Sequence, residues 1–310
     1  MEKVRLRLLW HPQPQFAGAL VAQHSGIARA RGLDLECQPL DFAEGPVAAI
    51  LAENAEVCIA SPAHLLESEN PAALALLLVF QQKSSLVYPA LRDHGVLKIS
   101  DLAEKRVAVW PGGEDLELRW MLTRASVDPE SVERVPTGDT AGLLLAGEVS
   151  CAQMTIYHEY HEYLNAGGQA DRVLALRAAD YGADLLKDGV IARRDWIQAD
   201  PQRAQALVES LLEGWTLALR DRTDTLALCQ QLRPDMDAAH HEQQYEDIRG
   251  LILNGPTLKQ GLGYPGAEPM ARAIEALFEV EGRKTEGAPQ SYIAEDFWKA
   301  APEGIRSANW

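Results

Sequence analysis

The alternation of apolar and polar positions opens on a strand: Val4, Leu6 and Leu8 alternate with Arg5 and Arg7, and Leu9 and Trp10 close the run. Pro12 and Pro14 bar a helix just after it. The small and apolar spacing of residues 16–30 then predicts a helix packed on a sheet and stopped at Gly32. Residues 33–40 read as a second strand. The alternation repeats with a helix over 46–53, a short buried strand at 57–60, a helix opening at 61–67 and a strand over 74–80. Strands separated by helices in this way imply parallel pairing.

The pattern breaks over 84–93 and restarts with a strand at 106–110, the loop Pro111-Gly112-Gly113 and a helix from Glu114. Strand-like stretches at 133–135, 150–154 and 173–176 alternate with helices over 140–146 and 159–165, and 190–192 reads as a strand returning the chain to the first lobe. Beyond Asp200-Pro201 the periodicity is helical over 202–219, 225–231, 240–253 and 268–280, and no further strand is required. The expected organisation is two α/β lobes, residues 1–88 with 191–310 and residues 89–190.

Composition narrows the partners. A chain of 310 residues, 47% hydrophobic and 24% charged, has room for about two cores. Forty-five acidic against 29 basic residues leave a net charge of -16, a field that repels phosphate backbones and anionic headgroups, so nucleic acid is not an expected partner. The longest apolar run, 72–80, falls far short of the roughly 18 to 20 residues a membrane span needs, so no membrane insertion is expected. Residues 1–10 carry Lys3, Arg5 and Arg7 but no apolar core or cleavage site of a secretory signal. The expected location is cytoplasmic if Met1 is the native start, and periplasmic or otherwise extracytoplasmic if a leader was removed.

Catalytic motifs are weak. Cys37, Cys58, Cys151 and Cys229 are scattered without a CxxC pair and read as inert buried thiols. His158 and His161 stand three apart where a zinc-peptidase helix needs four, and His240-His241 is no stronger, so no metal and no cofactor are expected. There is no GxSxG elbow and no phosphate loop with its lysine; in Pro111–Asp115 the acidic pair Glu114 and Asp115 would repel an anion. That segment reads as a tight strand-to-helix turn whose acids favour the positive end of the helix dipole, and its N–H groups could face a neutral polar ligand.

The aromatic residues carry more information. Trp10, Phe16, Trp110, Tyr157, Tyr160 and Tyr181 fall at expected strand ends or in the loops after them, where open parallel sheets bind ligands. Such rings suit a flat heteroaromatic guest, with Gln13, Gln15, Ser61, His64 and Glu159 offering polar atoms to its edge. With Gly112 and Gly113 of the turn, these residues, Tyr160 excepted, form the candidate binding set; none is assigned a catalytic role.

At this point the sequence resembles a known family. Trp10-His11-Pro12-Gln13-Pro14-Gln15-Phe16-Ala17-Gly18 resembles the W-x-P-Q-x-Q-F-A-G opening of the SsuA/THI5-like (NMT1/THI5-like) group of ABC-transporter solute-binding proteins. Gly26-Ile27 with Gly32-Leu33-Asp34, Val109-Trp110-Pro111-Gly112-Gly113, Tyr157-His158-Glu159-Tyr160, Tyr181-Gly182 with Asp188-Gly189, and Gly261-Leu262-Gly263-Tyr264 follow in the family's order. The resemblance implies a type II periplasmic-binding-protein fold, two α/β lobes joined by two crossovers with a ligand cleft between them, and an ABC permease as partner. It also implies a ligand of the thiamin-precursor type, such as formylaminopyrimidine or hydroxymethylpyrimidine, or riboflavin; other branches bind alkanesulfonates or nitrate. The aromatic set and the negative field favour the ring-binding branch.

Two alternatives accompany it. The THI5-type hydroxymethylpyrimidine phosphate synthase is an enzyme that consumes a pyridoxal phosphate held by a lysine, with a histidine nearby. Laid on that branch, His64 stands at the histidine, but Ala60 occupies the lysine position and only Cys151 lies in the region of its iron-binding cysteines, so no Schiff base can form and a non-enzyme is expected. A cytoplasmic sensor or scavenger of the same ligands is the other.

Overall fold

The computed structural model describes residues 1–112 and 114–308. The chain begins with β1 (Glu2–Arg7), which buries Val4 and Leu6 and turns Arg5 outward to pair with Glu56 at 2.6 Å. There follow α1 (Ala17–His24), α2 (Ile27–Ala30), β2 (Leu33–Gln38), α3 (Pro46–Leu51), β3 (Val57–Ala60), α4 (Pro62–Glu67) and β4 (Leu74–Val79). The helix expected over 16–30 is two helices behind a 3-10 turn at Pro14–Phe16. Gly26, at φ +85°, takes the left-handed conformation that ends one helix and starts the next, which a side chain would resist.

Next come β5 (Leu86–Leu91), β6 (Arg106–Val109), α5 (Leu116–Arg124), β7 (Glu133–Pro136), α6 (Thr140–Leu145), β8 (Cys151–Ala152), β9 (Met154–Thr155), α7 (Glu159–Asn165) and β10 (Val173–Leu176). Their sheet runs β10-β5-β8-β6-β7, with β9 also pairing β5. The sequence pattern showed only a break where β5 lies, because Pro89 sits inside the strand. Pro89 stands opposite Ala175 of β10, and the other flank pairs at Leu86, Val87 and Ala90, skipping the proline. The strand expected over 150–154 is likewise two short strands separated by Gln153.

The chain then returns through β11 (Gly189–Arg193), α8 (Arg194–Ala199), α9 (Pro201–Arg220), α10 (Arg222–Leu232), α11 (Ala238–Ile252), α12 (Gly255–Gln260), α13 (Glu268–Glu281), α14 (Glu295–Ala300) and α15 (Glu303–Arg306). Strand β11 inserts antiparallel between β3 and β4, giving the order β2-β1-β3-β11-β4. The all-parallel sheet expected from helix-strand alternation is therefore mixed: β1 runs parallel to β2 and β3, and the returning strand opposes its neighbours.

Contacts divide the chain into two compact units. The first comprises Met1–Lys83, Leu186–Ala273 and the segment from Thr285 onward; the second comprises Ser84–Leu185 with Ile274–Lys284. These units differ from the expected lobes at 84–88, 186–190 and 274–284; in the last stretch the later turns of α13 pack on α5 of the second unit, where Trp120 Nε1 donates to Glu279 at 2.7 Å and Arg124 pairs with Glu275 at 2.6 Å. No helix among the described residues is long and apolar enough to cross a membrane.

In the first unit α9, capped by Asp200 accepting from the N–H groups of Gln202 and Arg203, lies against α1. The approach is close because glycines face each other. A Cβ at Gly214 would stand 2.1 Å from the Gly18 carbonyl oxygen, and one at Gly18 would meet the Trp215 ring at 2.1 Å. Gly214→Ala is therefore expected to destabilise the protein by about 1–3 kcal/mol through overpacking. Gly250→Ala, in the open on α11, should be neutral or stabilising by about 0.4–1 kcal/mol. Urea denaturation midpoints of the two variants check this contrast, and equal midpoints would refute the close helix contact.

Candidate functional site

In the first unit the C-terminal ends of β1, β3 and β4 and the start of β11 meet on one edge of the sheet. That edge of an open α/β sheet is where strand ends leave room for a ligand. Here it is lined by a belt of buried polar side chains: Gln13 and Gln15 after β1, Ser61 after β3, Gln81 after β4 and Asp188 just before β11.

Asp188 holds the belt together. Gln15 Nε2 donates to its two oxygens at 3.0 and 3.1 Å, and Gln81 Nε2 donates to Oδ2. Gln13 Nε2 in turn donates to Gln15 Oε1 at 2.7 Å. Only 4% exposed and in the left-handed backbone region at φ +54°, Asp188 is a strained residue in an unfavourable medium, a combination that concentrates at functional sites. Burial pushes its carboxyl up to about 7, against the opposing pull of the two glutamine amides and of Lys187. Gln13 Oε1 and Gln81 Oε1 are buried without a partner.

Gln13 and Gln15 were predicted from the sequence; Gln81 and Asp188 were not. Asp188 was visible only as part of an Asp-Gly motif, and Gln81 carried no signal beyond its place after an apolar strand. Ser61 and His64 cap α4: Ser61 Oγ accepts the His64 N–H at 3.2 Å, and His64 Nδ1 accepts the Ser61 N–H at 3.4 Å. Ala60, where the synthase branch would hold an amine, is wholly buried opposite Gly189.

Trp10 is half-buried and meets Phe42 edge-on at 5.3 Å and His11 at 5.5 Å. Phe42, 70% exposed, is a further aromatic at this edge that the sequence reading passed over. Burial lowers the pKa of His11, assisted by Arg233 and opposed by Asp235. Phe16, by contrast, is 1% exposed and packs in the core.

The remaining predicted residues lie in the second unit. Trp110 is half-buried at the end of β6, Gly112 is exposed in the following loop, and Gly113 lies outside the described residues. Gln153, fully buried, organises this loop: its Oε1 accepts the Trp110 N–H at 3.2 Å and its Nε2 donates to the Glu114 carbonyl at 2.8 Å. Tyr157 is buried, and Tyr181 is half-exposed at the end of a 3-10 turn. Glu159 accepts from the Thr155 N–H at 2.9 Å and from its hydroxyl at 2.6 Å, which ties α7 to β9. Glu117, also missed, is buried and accepts from Ser84 Oγ at 2.9 Å and the Leu185 N–H at 2.7 Å.

Thiol nucleophilicity finds little support in these groups. Burial raises the Cys37 and Cys229 thiols to about 12 and raises Cys58 and Cys151 as well, so each is a poor thiolate. Among the described residues no three His, Cys, Asp or Glu side chains group as a metal site.

The buried carboxylate has a consequence for stability. Because its folded pKa lies above the unfolded one, the native state binds the extra proton between about pH 4 and 7, and stability falls as pH rises through that window. The gap corresponds to roughly 4 kcal/mol when fully developed. Asp188→Asn, which cannot ionise, is expected to gain on the wild type in melting temperature as pH goes from 5 to 8. A difference independent of pH would show that Asp188 titrates normally.

Comparison with known proteins places the chain. The ligand-binding component of an ABC-type import system from Staphylococcus aureus, solved with zinc bound, superposes with a TM-score of 0.71 at 9% identity, covering 97% of this chain and 99% of that one. The periplasmic aliphatic sulphonate binding protein SsuA of Escherichia coli gives 0.71 at 16% identity, with 94% and 92% covered. The desulfurization enzyme DszB gives 0.65 at 15% identity, with 96% and 98% covered. At these identities the likeness establishes the fold, that of the periplasmic binding proteins. No curated protein sequence matches the chain significantly. The NMT1/THI5-like family model matches residues 13–224, from the first glutamine of the polar belt through β11 and into α10. On that match, which takes in well over half of its length, the chain belongs to the NMT1/THI5-like family.

Proposed function

We propose that this protein is a solute-binding protein that captures a small, uncharged heteroaromatic molecule, a thiamin pyrimidine precursor or a riboflavin-like ring, and delivers it to an ABC permease. The observation that carries the reading is the polar belt itself: three glutamine amides, a serine and a carboxylate buried at the ligand-binding edge of the sheet, with Trp10 and Phe42 flanking. Its composition suits a guest that offers N–H groups. A sulfonate or nitrate would call for cationic or donor-rich walls, yet no lysine or arginine is buried among the described residues. The family and the import-system neighbours support the solute-binding class. A buried Ala60 and four protonated thiols speak against a lysine- or cysteine-based enzyme.

A thermal-shift panel of hydroxymethylpyrimidine, formylaminopyrimidine, thiamin, riboflavin, pyridoxal phosphate, taurine and nitrate tests this. One pyrimidine or flavin should raise the melting temperature by several degrees, since a ligand at a hundred times its Kd stabilises the native state by about 2.7 kcal/mol. Taurine and nitrate should leave it unchanged. A rise with an anion alone would reassign the ligand class, and turnover of a bound ring would reassign the protein to the enzymes.

A further inference from the structure

Helix α11 brings a second polar face to the same edge of the first unit. It packs on the 3-10 turn Pro14–Phe16, directly after Gln13, and the carbonyl of its Leu251 accepts the Gln82 N–H at 3.0 Å. The helix thus touches both segments that supply the belt, the one after β1 and the one after β4. Its buried face comprises His240, His241, Gln244, Tyr245, Ile248 and Leu251, the three-and-four spacing of a helix stripe.

On that stripe Tyr245 donates its hydroxyl to the Ala218 carbonyl at 3.0 Å, and His241 Nε2 meets the Arg233 carbonyl at 3.2 Å while its Nδ1 has no partner. Gln244 differs. It is 0% exposed, and neither its Nε2 nor its Oε1 has a partner. An unpaired buried polar group costs about 1–3 kcal/mol, and this amide carries two. Leucine would fill nearly the same volume without that cost, so packing alone gives no reason for an amide here. Gln13 Oε1 and Gln81 Oε1 are unpaired as well, so these three amides leave three acceptors and one donor group unsatisfied.

We propose that Gln244 is a specificity-determining ligand contact whose amide reads a solute edge with a hydrogen-bond acceptor beside an N–H donor. The inference rests on the solute-binding reading above and adds a residue from the helical C-terminal region to that site. The excess of acceptors across the three amides selects a neutral, N–H-bearing guest over an anion. Satisfying this amide only in the complex converts its unpaired state into affinity, and a site groomed for binding at the expense of the empty protein is the expected trade-off.

The test compares wild type and Gln244→Leu by melting of the ligand-free protein and by titration calorimetry with hydroxymethylpyrimidine and with riboflavin. The variant should melt higher than wild type when empty and bind the preferred ring at least about tenfold more weakly, the loss expected for a buried hydrogen-bonded contact. A lower melting temperature for the empty variant would show that the amide is already satisfied in the fold, and an affinity within twofold of wild type would show that it does not touch the ligand; either overturns the inference while leaving the solute-binding reading intact. If wild type itself binds neither ring, the ring-binding reading fails and takes this inference with it.

Discussion

The structure turns on a carboxylate kept out of water at the end of a sheet. Asp188 sits where β11 enters antiparallel between β3 and β4, and its oxygens gather the amides that follow β1 and β4. One side chain thus ties together three loops that have no backbone pairing with each other. The cost of its burial is met partly by these amide donors and partly by a proton held to near-neutral pH. A hydrophobic residue there would cost less, so this carboxylate is not placed to maximise stability.

The fold alone leaves the chemistry of that edge open. The periplasmic binding scaffold serves zinc, sulphonate and desulfurization chemistry in those proteins, and the scaffold by itself chooses among none of them. Choice comes from the walls. At this edge the buried polar side chains are amides, a serine and one carboxylate, with no buried lysine or arginine among the described residues, and Trp10 meets Phe42 edge-on beside them. The close contact of Gly18 with Gly214 complements this edge, seating α1 on α9 just after the turn that carries Gln15.

Much of the fold was legible because buried strands and amphipathic helices have to show their faces. β1, β3, β4 and β6 and the long helices after residue 200 stand close to where periodicity placed them. β5 was hidden by Pro89, which pairs with β10 and is skipped on the other flank, and the helix over 16–30 hid a break at Gly26, since apolar spacing continues across a turn. The mixed sheet was illegible for a different reason: strand direction depends on which neighbours a returning strand meets, and alternation of elements does not encode it.

The candidate site divides along the same line. Order and type along the chain made Gln13, Gln15 and the aromatics past the strand ends stand out, because local patterning marks strand termini; it could not show that Phe16 and Tyr157 are buried while Trp10 and Trp110 are only partly so. Gln81 and Asp188 acquired meaning only when residues more than a hundred positions apart were brought to one edge. Burial and pairing are properties of the folded neighbourhood. The sequence determined which groups were available, and the tertiary structure decided which of them lost water and which were left without a partner.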